Sequence, residues 1–412
     1  DGHRGRLAKG LDPLGQLAHA HYSPGSSAVA TCTLLSDSVM SDLPDIQLPA
    51  DLIPGDGRFG SGPSAVDVEA LDALAATGTH YKGTSHRQAT VRNVVGDVRR
   101  ALTELYALPD GYEVMLGVGG ATAFWDAAAF SVIERKSQHL AFGEFSSKFA
   151  KVIAGAPHLD DPQIIEAEPG SHPLPRTDPD VDTYALTHNE TSTGVMMPIV
   201  RPEASDGLVA VDATSAAGAA PLDPTQADIY YFSPQKALGS EGGLWVALVS
   251  PAAVERLERI AASDRWVPPF LDVHAALQNS RKDQTYNTPA LATIFLLRHQ
   301  LHRIAEHGGL DWAIGRSTAS SSHLYGWATA SEHAFPFVSD PAMRSIVNAT
   351  VDFVEGISAD AIQDVLRANG ILDTGGYRKL GRNQLRIGTF PNVKPNDVQT
   401  LTAAIDYIID RL

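Results

Sequence analysis

Seven short apolar segments between residues 113 and 250 alternate with stretches of helical periodicity. The segments are 113–118, 139–142, 163–167, 183–187, 208–212, 229–232 and 244–249, and the helices between them include 121–134 and 146–153. Strands that alternate with crossover helices form a mostly parallel sheet, so the pattern predicts an α/β fold. Ligands of such sheets bind at the carboxyl ends of the strands. We therefore look for functional side chains directly after these segments.

The last hundred residues show a different order of elements. After helical stretches at 289–307 and 311–331, the pattern indicates a strand (346–354), a helix (359–368), a strand (384–390) and a helix (397–412). This order is typical of a smaller α+β domain. We accordingly divide the 412 residues into an extension (1–50), a large domain (51–310) and a small C-terminal domain (311–412).

Residues 1–50 lack the periodicity of the rest, and we expect them to be a disordered or mis-started extension. The first methionine is Met40, and Asp12, His19 and Pro24 interrupt any apolar stretch long enough for a secretory signal. A cytoplasmic location is therefore expected. Cys32 is the only cysteine, so the residues after Met40 offer no thiolate for catalysis, for zinc or for an iron–sulfur cluster.

Charge and motif spacing exclude several classes of function. Lys and Arg number 32 against 48 Asp and Glu, and the net charge of −16 repels the phosphates of nucleic acid. The longest strongly apolar run, 244–249, is far shorter than the roughly 20 residues that cross a bilayer, so we expect no membrane association. The spacing of the histidines and the lack of a GxSxG motif favour neither a metal site nor a hydrolase triad.

The sequence GVGGAT at 117–122 joins the first predicted strand to a helix. Small residues at a helix start let backbone N–H groups approach an anion such as a phosphate, and the helix dipole favours the negative charge. The motif also resembles a dinucleotide fingerprint in which Thr122 replaces the last glycine. From this motif alone, a phosphate site, a nucleotide-binding oxidoreductase and a tight turn without a ligand are all open.

An acid and an amine follow two of the predicted strands. Asp212 ends the segment 208–212, and Lys236 follows the segment 229–232. By itself the carboxylate is more often a helix cap, and a lone lysine is usually a solvated surface group. A lysine that follows a buried strand and faces a carboxylate is instead a candidate for a Schiff base with a carbonyl compound.

Together these motifs resemble the phosphoserine aminotransferase family, in particular its actinobacterial branch, from about Arg58 to Leu412. The resemblance is carried, in the family's order, by GSGP at 60–63, SHR at 85–87, NET at 189–191, Asp212, SPQKALG at 233–239, YNTP at 286–289 and residues 378–386. It implies a fold-type I enzyme that depends on pyridoxal 5′-phosphate (PLP). The large domain would then be the PLP-binding domain, built on a mostly parallel seven-stranded sheet flanked by helices.

The resemblance assigns the cofactor to a definite set of residues. Lys236 would hold PLP covalently and then move the Cα proton, and Asp212 would pair with the ring nitrogen so that the ring accepts electrons. Phe145 would stack on the ring where many members carry a tryptophan. The other implied cofactor-binding residues are Gly120, Ala121, Thr122, Thr191 and Gln235, with Asn287 and Thr288 supplied by the other subunit of a homodimer with shared active sites.

The resemblance also implies the substrate contacts. Arg386 would bind the substrate α-carboxylate through a bidentate pair, and His86 and Arg87 would meet the far anionic group. Some members carry an arginine where this chain has Ala121, so we expect Arg382 or Lys379 to replace it. Which subunit supplies His86 and Arg87 is left open by the sequence.

The implied reaction is the reversible transfer of an amino group from L-glutamate to 3-phosphohydroxypyruvate, which gives O-phospho-L-serine and 2-oxoglutarate in serine biosynthesis. Whether the enzyme also acts on 4-phosphohydroxythreonine, in pyridoxine biosynthesis, is left open. The alternatives are an alanine–glyoxylate or serine–pyruvate type aminotransferase of the same fold, a nucleotide-binding oxidoreductase, and a binding protein that keeps the pocket without the chemistry.

Overall fold

The computed structural model describes residues 46–412, and the structural statements below concern these residues. The strands are β1 (Glu113–Val118), β2 (Ser137–Ala141), β3 (Gln163–Glu166), β4 (Thr183–Thr187), β5 (Asn189–Glu190), β6 (Val195–Met196), β7 (Leu208–Asp212), β8 (Ile229–Phe232), β9 (Leu244–Val249), β10 (Ala334–Pro336), β11 (Asn348–Phe353) and β12 (Gln384–Gly388). All seven strands predicted between residues 113 and 250 are present, with bounds that differ by at most two residues.

The helices are α1 (Val68–Ala76), α2 (Ala89–Leu105), α3 (Ala121–Ser131), α4 (Glu144–Ala154), α5 (Pro251–Ala261), α6 (Val273–Ser280), α7 (Leu291–Glu306), α8 (Leu310–Ala330), α9 (Ala359–Ala368) and α10 (Pro395–Ile409). Short 3₁₀ turns lie at Ala50–Leu52, Pro224–Gln226, Pro269–Leu271, Pro341–Met343 and Arg378–Leu380. Local sequence explains several helix starts. In α5, for example, Pro251 occupies the first turn and the Ser250 hydroxyl accepts the N–H of Ala253.

The central sheet has the strand order β1-β9-β8-β7-β4-β2-β3. Strands β8, β7, β4, β2 and β3 pair in parallel, while β9 pairs antiparallel with both β8 and β1. Six strands therefore share one direction and β9 alone is reversed. The predicted α/β fold with a mostly parallel seven-stranded sheet is confirmed.

The inner strands of this sheet are buried on both faces, which is why strands such as β8 and β9 are continuous apolar runs. In β1, Val114 and Leu116 pack into one hydrophobic cluster together with helices α2 and α7. Met115, between them in sequence, packs into a second cluster with α3, α4, α5 and α6. The alternation of side chains along each strand thus supplies two layers of helices with one sheet between them.

The C-terminal region contains a three-stranded antiparallel sheet, β10-β11-β12, and helices that cover it. Helix α8 contributes Ala313 to a cluster of the central sheet but Leu324 to the cluster of the small sheet. The division at residue 310 stays a prediction.

The predicted N-terminal extension lies outside the described residues except for positions 46–50. Ile46 and Leu48 are buried in the cluster of the small sheet, and Asn369 binds the backbone of both residues through its side-chain amide. The expectation of disorder is therefore wrong for Ile46 and Leu48, because their apolar side chains find a docking site that the linear sequence does not reveal.

Within residues 46–412, no helix is both long and apolar enough to cross a membrane. The same part of the chain shows no group of three His, Cys, Asp or Glu side chains arranged to hold a metal ion.

Candidate active site

A cavity of about 300 Å³ opens at the carboxyl ends of the parallel strands. Three of its lining residues come from adjacent strands: Thr187 ends β4, Asp212 ends β7 and Lys236 follows β8. These strands lie side by side in the sheet. The fold therefore brings the predicted acid and the predicted amine to the walls of one cavity.

The carboxylate of Asp212 is held by two donors and is almost completely buried, with 6% of the residue exposed. Its Oδ1 accepts the backbone N–H of Thr214 at 2.9 Å, and its Oδ2 accepts the indole Nε1–H of Trp125 at 3.1 Å. Burial raises the pKa of Asp212 because the charge is poorly solvated, while both donors and the charge of Lys236 act in the opposite direction. A cation placed in the cavity would further favour the ionised carboxylate.

The amine of Lys236 donates to the backbone carbonyl of Ser61 at 2.7 Å and lies 5.8 Å from the centre of the Phe145 ring. Burial, together with the charge of Arg386, lowers the pKa of Lys236 to about 8, and the charge of Asp212 counteracts this shift. More of this amine is therefore unprotonated at neutral pH than in an exposed lysine. The unprotonated amine is the form that attacks a carbonyl group.

Gly62 makes room for this lysine. Its φ of 137° is a conformation that L side chains rarely adopt, and a Cβ at this position would lie 2.2 Å from Cε of Lys236. A side chain at position 62 would therefore displace the amine. This close approach gives a physical reason for the GSGP motif at 60–63.

The N-terminus of α3 forms the part of the cavity best suited to an anion. Helix α3 begins at Ala121, and no side chain caps its first turn at Gly120. The first N–H groups of a helix have no partner within the helix, and the helix dipole favours a negative charge beside them. Thr122 and Gln235 also line the cavity, and the buried hydroxyl of Ser233 has no hydrogen-bond partner in the described structure.

Phe145 lines the cavity from the first turn of α4, and a buried carboxylate fixes that turn. Glu190 Oε2 accepts the N–H groups of Phe145 and Ser146 at 3.1 and 2.9 Å. Its Oε1 accepts the hydroxyl of Ser192 at 2.7 Å. The predicted start of this helix, Ser146, is two residues late. The helix begins at Glu144 because a side chain remote in sequence satisfies the N–H groups of its first turn.

Thr191 connects the cavity to Arg386 on strand β12. Its hydroxyl donates to Ser215 Oγ at 2.8 Å, and its carbonyl accepts from Arg386 Nη1 and from Asn348 Nδ2, each at 3.2 Å. The Nε of Arg386 is buried and has no hydrogen-bond partner within residues 46–412. Burial lowers the pKa of Arg386, but a guanidinium stays charged near neutral pH. A charged arginine with a free donor, close enough to affect Lys236, suits a carboxylate ligand.

Eight predicted residues line this cavity, and we refer to them as the cavity set: Gly120, Ala121, Thr122, Phe145, Thr191, Asp212, Gln235 and Lys236.

Four other predicted residues, the surface set, lie together outside this cavity: His86, Arg87, Asn287 and Thr288. Thr288 Oγ1 is 3.2 Å from His86 Nδ1, and Arg87 Nη1 donates to Gln284 Oε1 at 3.2 Å. Burial and the charge of Arg87 lower the pKa of His86, so its imidazole is neutral at pH 7. Its Nε2 is buried without a partner in the described structure. Two motifs some 200 residues apart in sequence therefore form one patch.

The two candidates for replacing the family arginine are both engaged elsewhere. Arg382 forms an ion pair with the buried carboxylate of Asp352 and does not line the cavity. Lys379 pairs with Glu144, the residue before Phe145, and lines a separate groove of about 700 Å³. The structure thus brings Lys379 next to the cavity set but does not bring Arg382 there.

Several cavity residues were not predicted individually, among them Trp125, Thr214 and Ser215. Trp125 lies one helical turn after Ala121, so its position on the cavity face of α3 follows from helix geometry once Ala121 is placed. Thr214 and Ser215 follow Asp212 directly. Their polarity did not mark them as cavity residues, because polar residues are common in any strand-to-helix turn.

Comparison with known proteins identifies the class of enzyme. The family model described as Aminotransferase class-V matches residues 59–379. The chain therefore belongs to the class-V aminotransferases, which are PLP-dependent transaminases. The alternative of a nucleotide-binding oxidoreductase is thereby excluded.

Individual relatives place the chain more narrowly, among the phosphoserine aminotransferases. A phosphoserine aminotransferase of a Nocardioides species is 57% identical over 370 residues, which cover 89% of this chain and 99% of the relative. A protein of Mycolicibacterium vanbaalenii, provisionally given the same name, is 58% identical over 369 residues, with the same two coverages. The crystal structure of a phosphoserine aminotransferase from Cytophaga hutchinsonii has a TM-score of 0.79 and 25% identity, covering 86% of this chain and 99% of that chain.

The donors around the cavity fit PLP. The uncapped start of α3 suits its phosphate, and the Asp212 carboxylate suits its ring nitrogen. An amine with a lowered pKa suits its aldehyde, and Phe145 offers an aromatic face.

Proposed function

We propose that the chain transfers an amino group from L-glutamate to 3-phosphohydroxypyruvate, giving O-phospho-L-serine and 2-oxoglutarate. The observation that carries this proposal is the 57% identity with a phosphoserine aminotransferase over 99% of that relative's length. The site supports it, because the Arg386 guanidinium and the Lys236 amine lie close enough for their charges to interact. An α-amino acid carries its carboxylate and the proton to be removed on the same Cα, so it needs an anion-binding group and a proton acceptor in one site.

The residues of the cavity set would have different roles in the reaction. When bound, PLP supplies an aldehyde that takes up the amino group and a ring that withdraws electrons from Cα. The Nζ of Lys236 would hold the cofactor and then, as a free amine, accept and return the Cα proton. Asp212 would pair with the ring nitrogen, and Phe145 would offer an aromatic face to the ring. The first turn of α3, with Thr122 and Gln235, would hold the phosphate.

Arg386 would orient the substrate by its α-carboxylate, with Nε and Nη as paired donors. The far anionic group, a phosphate or a side-chain carboxylate, would meet His86 and Arg87. Arg382 and Lys379 both form ion pairs, with Asp352 and Glu144 respectively, but only Lys379 lies next to the cavity set, so it is the better of the two replacements for the family arginine.

We further propose a homodimer in which each surface set completes the cavity of the partner subunit. The contact between His86 and Thr288 within one chain indicates that both residues act in the same cavity, because neighbouring side chains of one subunit reach the same side of an interface. Asn287 and Thr288 are exposed, and neither lines the cavity of its own chain. His86 and Arg87 would then be supplied by the same subunit as Thr288.

Hybrid dimers test this sharing. One chain carries Lys236→Ala and the other Arg87→Ala, each with its own affinity tag so that the hybrid can be purified. If Arg87 acts in the partner's cavity, the hybrid contains one intact site, and activity exceeds that of either parent dimer. If Arg87 acts in its own chain, no intact site exists, and activity stays at the parental level.

A spectroscopic assay tests the reaction itself. The purified protein is mixed with O-phosphoserine, with L-glutamate or with L-alanine, and conversion of the bound cofactor to its pyridoxamine form is followed by absorbance. We expect rapid conversion by the first two and slow conversion by L-alanine. Equal conversion by L-alanine would favour the alanine–glyoxylate type, and no conversion by any amino acid would favour a binding protein.

The cytoplasmic location, the use of 4-phosphohydroxythreonine and the domain division at residue 310 stay predictions. The second can be tested in the same assay, with 4-phosphohydroxythreonine as the amino donor.

A further inference from the structure

Trp125 makes a polar contact that the mechanism above does not use. It lies on α3 with 3% of its surface exposed, and its indole lines the cavity. The Nε1–H donates to Oδ2 of Asp212 at 3.1 Å. The other side-chain oxygen of Asp212, Oδ1, accepts from a residue close in sequence, the N–H of Thr214 two residues on.

The chemistry of the two groups determines which of them donates the hydrogen bond and which accepts it. An indole N–H can only donate, and it bonds more strongly to an ionised carboxylate than to a protonated carboxyl group. A carboxylate in a buried site loses its hydration, and donors to the charged form restore part of that loss. With Oδ1 bound to Thr214 and Oδ2 bound to Trp125, the plane of the carboxylate is fixed, and its remaining lone pairs are available to the cavity.

The indole is itself held in place. Its ring lies nearly parallel to that of Phe149, with centroids 5.9 Å apart and an interplanar angle of 16°. Phe149 packs edge-on against both His139 and Tyr231. This aromatic group belongs to the hydrophobic cluster between the sheet and α3, so the donor cannot turn away without repacking the core.

We infer that Trp125 is a positioning residue that orients the Asp212 carboxylate toward the ring nitrogen of PLP and maintains its charge. The inference rests on the proposed placement of the cofactor against Asp212 and Lys236. It extends the site to a residue that touches Asp212 through its indole nitrogen.

The test compares two buried tryptophans and two cofactors. Trp125→Phe keeps an aromatic ring against Phe149 but removes the N–H. Trp245→Phe makes the same change in the same hydrophobic cluster, at a residue that does not line the cavity. Apoprotein of each variant is titrated with PLP and with 1-deaza-PLP, in which a carbon replaces the ring nitrogen and leaves Asp212 without a partner. Thermal unfolding of each apoprotein is measured in parallel.

We expect Trp125→Phe to bind PLP roughly tenfold more weakly than the wild type, the effect of losing one hydrogen bond to a charged group. Its affinity for 1-deaza-PLP should equal that of the wild type, and Trp245→Phe should leave both affinities unchanged. The decisive quantity is the ratio of the affinity for PLP to the affinity for 1-deaza-PLP. A loss of packing weakens the binding of both cofactors equally and leaves this ratio unchanged. Should Trp125→Phe fail to fold, Trp125→Leu is expected to give the same change in ratio.

An unchanged ratio in the Trp125 variant would overturn the inference, and an equal weakening of both ligands would assign Trp125 to packing alone. A wild-type protein that binds PLP but shows no preference for it over 1-deaza-PLP would instead contradict the placement of the ring nitrogen at Asp212. The substrate does not enter these measurements, so failure of the proposed reaction would appear separately, in the amino-acid assay.

Discussion

The cavity set and the surface set were both recognised from sequence motifs, but most of their members lie in different physical environments, although Thr122 is exposed and His86 is buried. Asp212 and Lys236 are enclosed by the fold. Burial raises the pKa of Asp212 and lowers the pKa of Lys236, so it favours the neutral form of each group. Arg87, Asn287 and Thr288 lie at the surface, on segments outside the regular helices and strands. A motif therefore identifies a functional residue without telling whether its own chain completes the site.

The difference between the two sets corresponds to two functions, proton transfer and anion recognition. A group that exchanges protons needs a controlled pKa, and only burial and fixed neighbours within one folded chain provide this control. A group that recognises an anion needs only a charge at the right place, and a second subunit can deliver it. The predictions below test whether the two sets differ in this way.

The largest effect is expected from Lys236→Ala. Turnover should fall by about 10⁴-fold, the upper range for the loss of a general base, and borohydride should no longer fix the cofactor to the protein. The matched control is Lys151→Ala, which removes an exposed lysine at the end of α4. Measurable turnover at more than a hundredth of the wild-type rate would reject the role given to Lys236.

An intermediate effect is expected from Arg87→Ala in the surface set. Loss of a charge-assisted hydrogen bond should lower kcat/KM for 3-phosphohydroxypyruvate by roughly 10- to 100-fold and leave pyruvate almost unaffected. Arg100→Ala, at an exposed arginine of α2, serves as the control. A cavity-set variant such as Lys236→Ala affects both substrates equally, so an equal loss for Arg87→Ala would erase the proposed distinction between the two sets.

The smallest effect concerns pH. Because the unprotonated amine reacts and the pKa of Lys236 is lowered to about 8, covalent recombination of apoprotein with PLP should accelerate roughly tenfold from pH 7 to pH 9 and then level off. The rates are divided by those of N-α-acetyl-lysine, corrected for the ionisation of that free amine, so that the ionisation of PLP itself cancels. A ratio that shows no inflection near pH 8 would mean that burial does not tune this amine.

Much of the fold could be predicted because strands buried on both faces leave a strong signal. The segments 183–187, 208–212 and 229–232 match β4, β7 and β8 residue for residue, since each is a continuous apolar run ended by a polar residue or a turn. The two-residue strands β5 and β6 and the short edge strand β10 were not predicted. Their pairing partners, rather than their own composition, define them.

In the site, Asp212 and Lys236 could be found because Asp212 ends such a strand and Lys236 follows one. Trp125 and Glu190 could not be given their roles. Their partners, Asp212 and the first turn of α4, lie more than 40 residues away in sequence. A tryptophan in an apolar helix predicts burial, and nothing in its neighbours shows that its N–H meets a carboxylate.

The sequence by itself determined the class of fold, the positions of the apolar strands along the chain, and Asp212 and Lys236 as the acid and the amine. This was possible because side-chain periodicity and strand ends are local properties. Only the tertiary structure decided which polar groups meet: the indole with Asp212, Glu190 with the start of α4, His86 with Thr288, and Arg382 with Asp352 rather than with the cavity. The physical reason is that hydrogen bonds and pKa shifts depend on distances of a few ångströms and on burial. Both are set by contacts between segments remote in the chain.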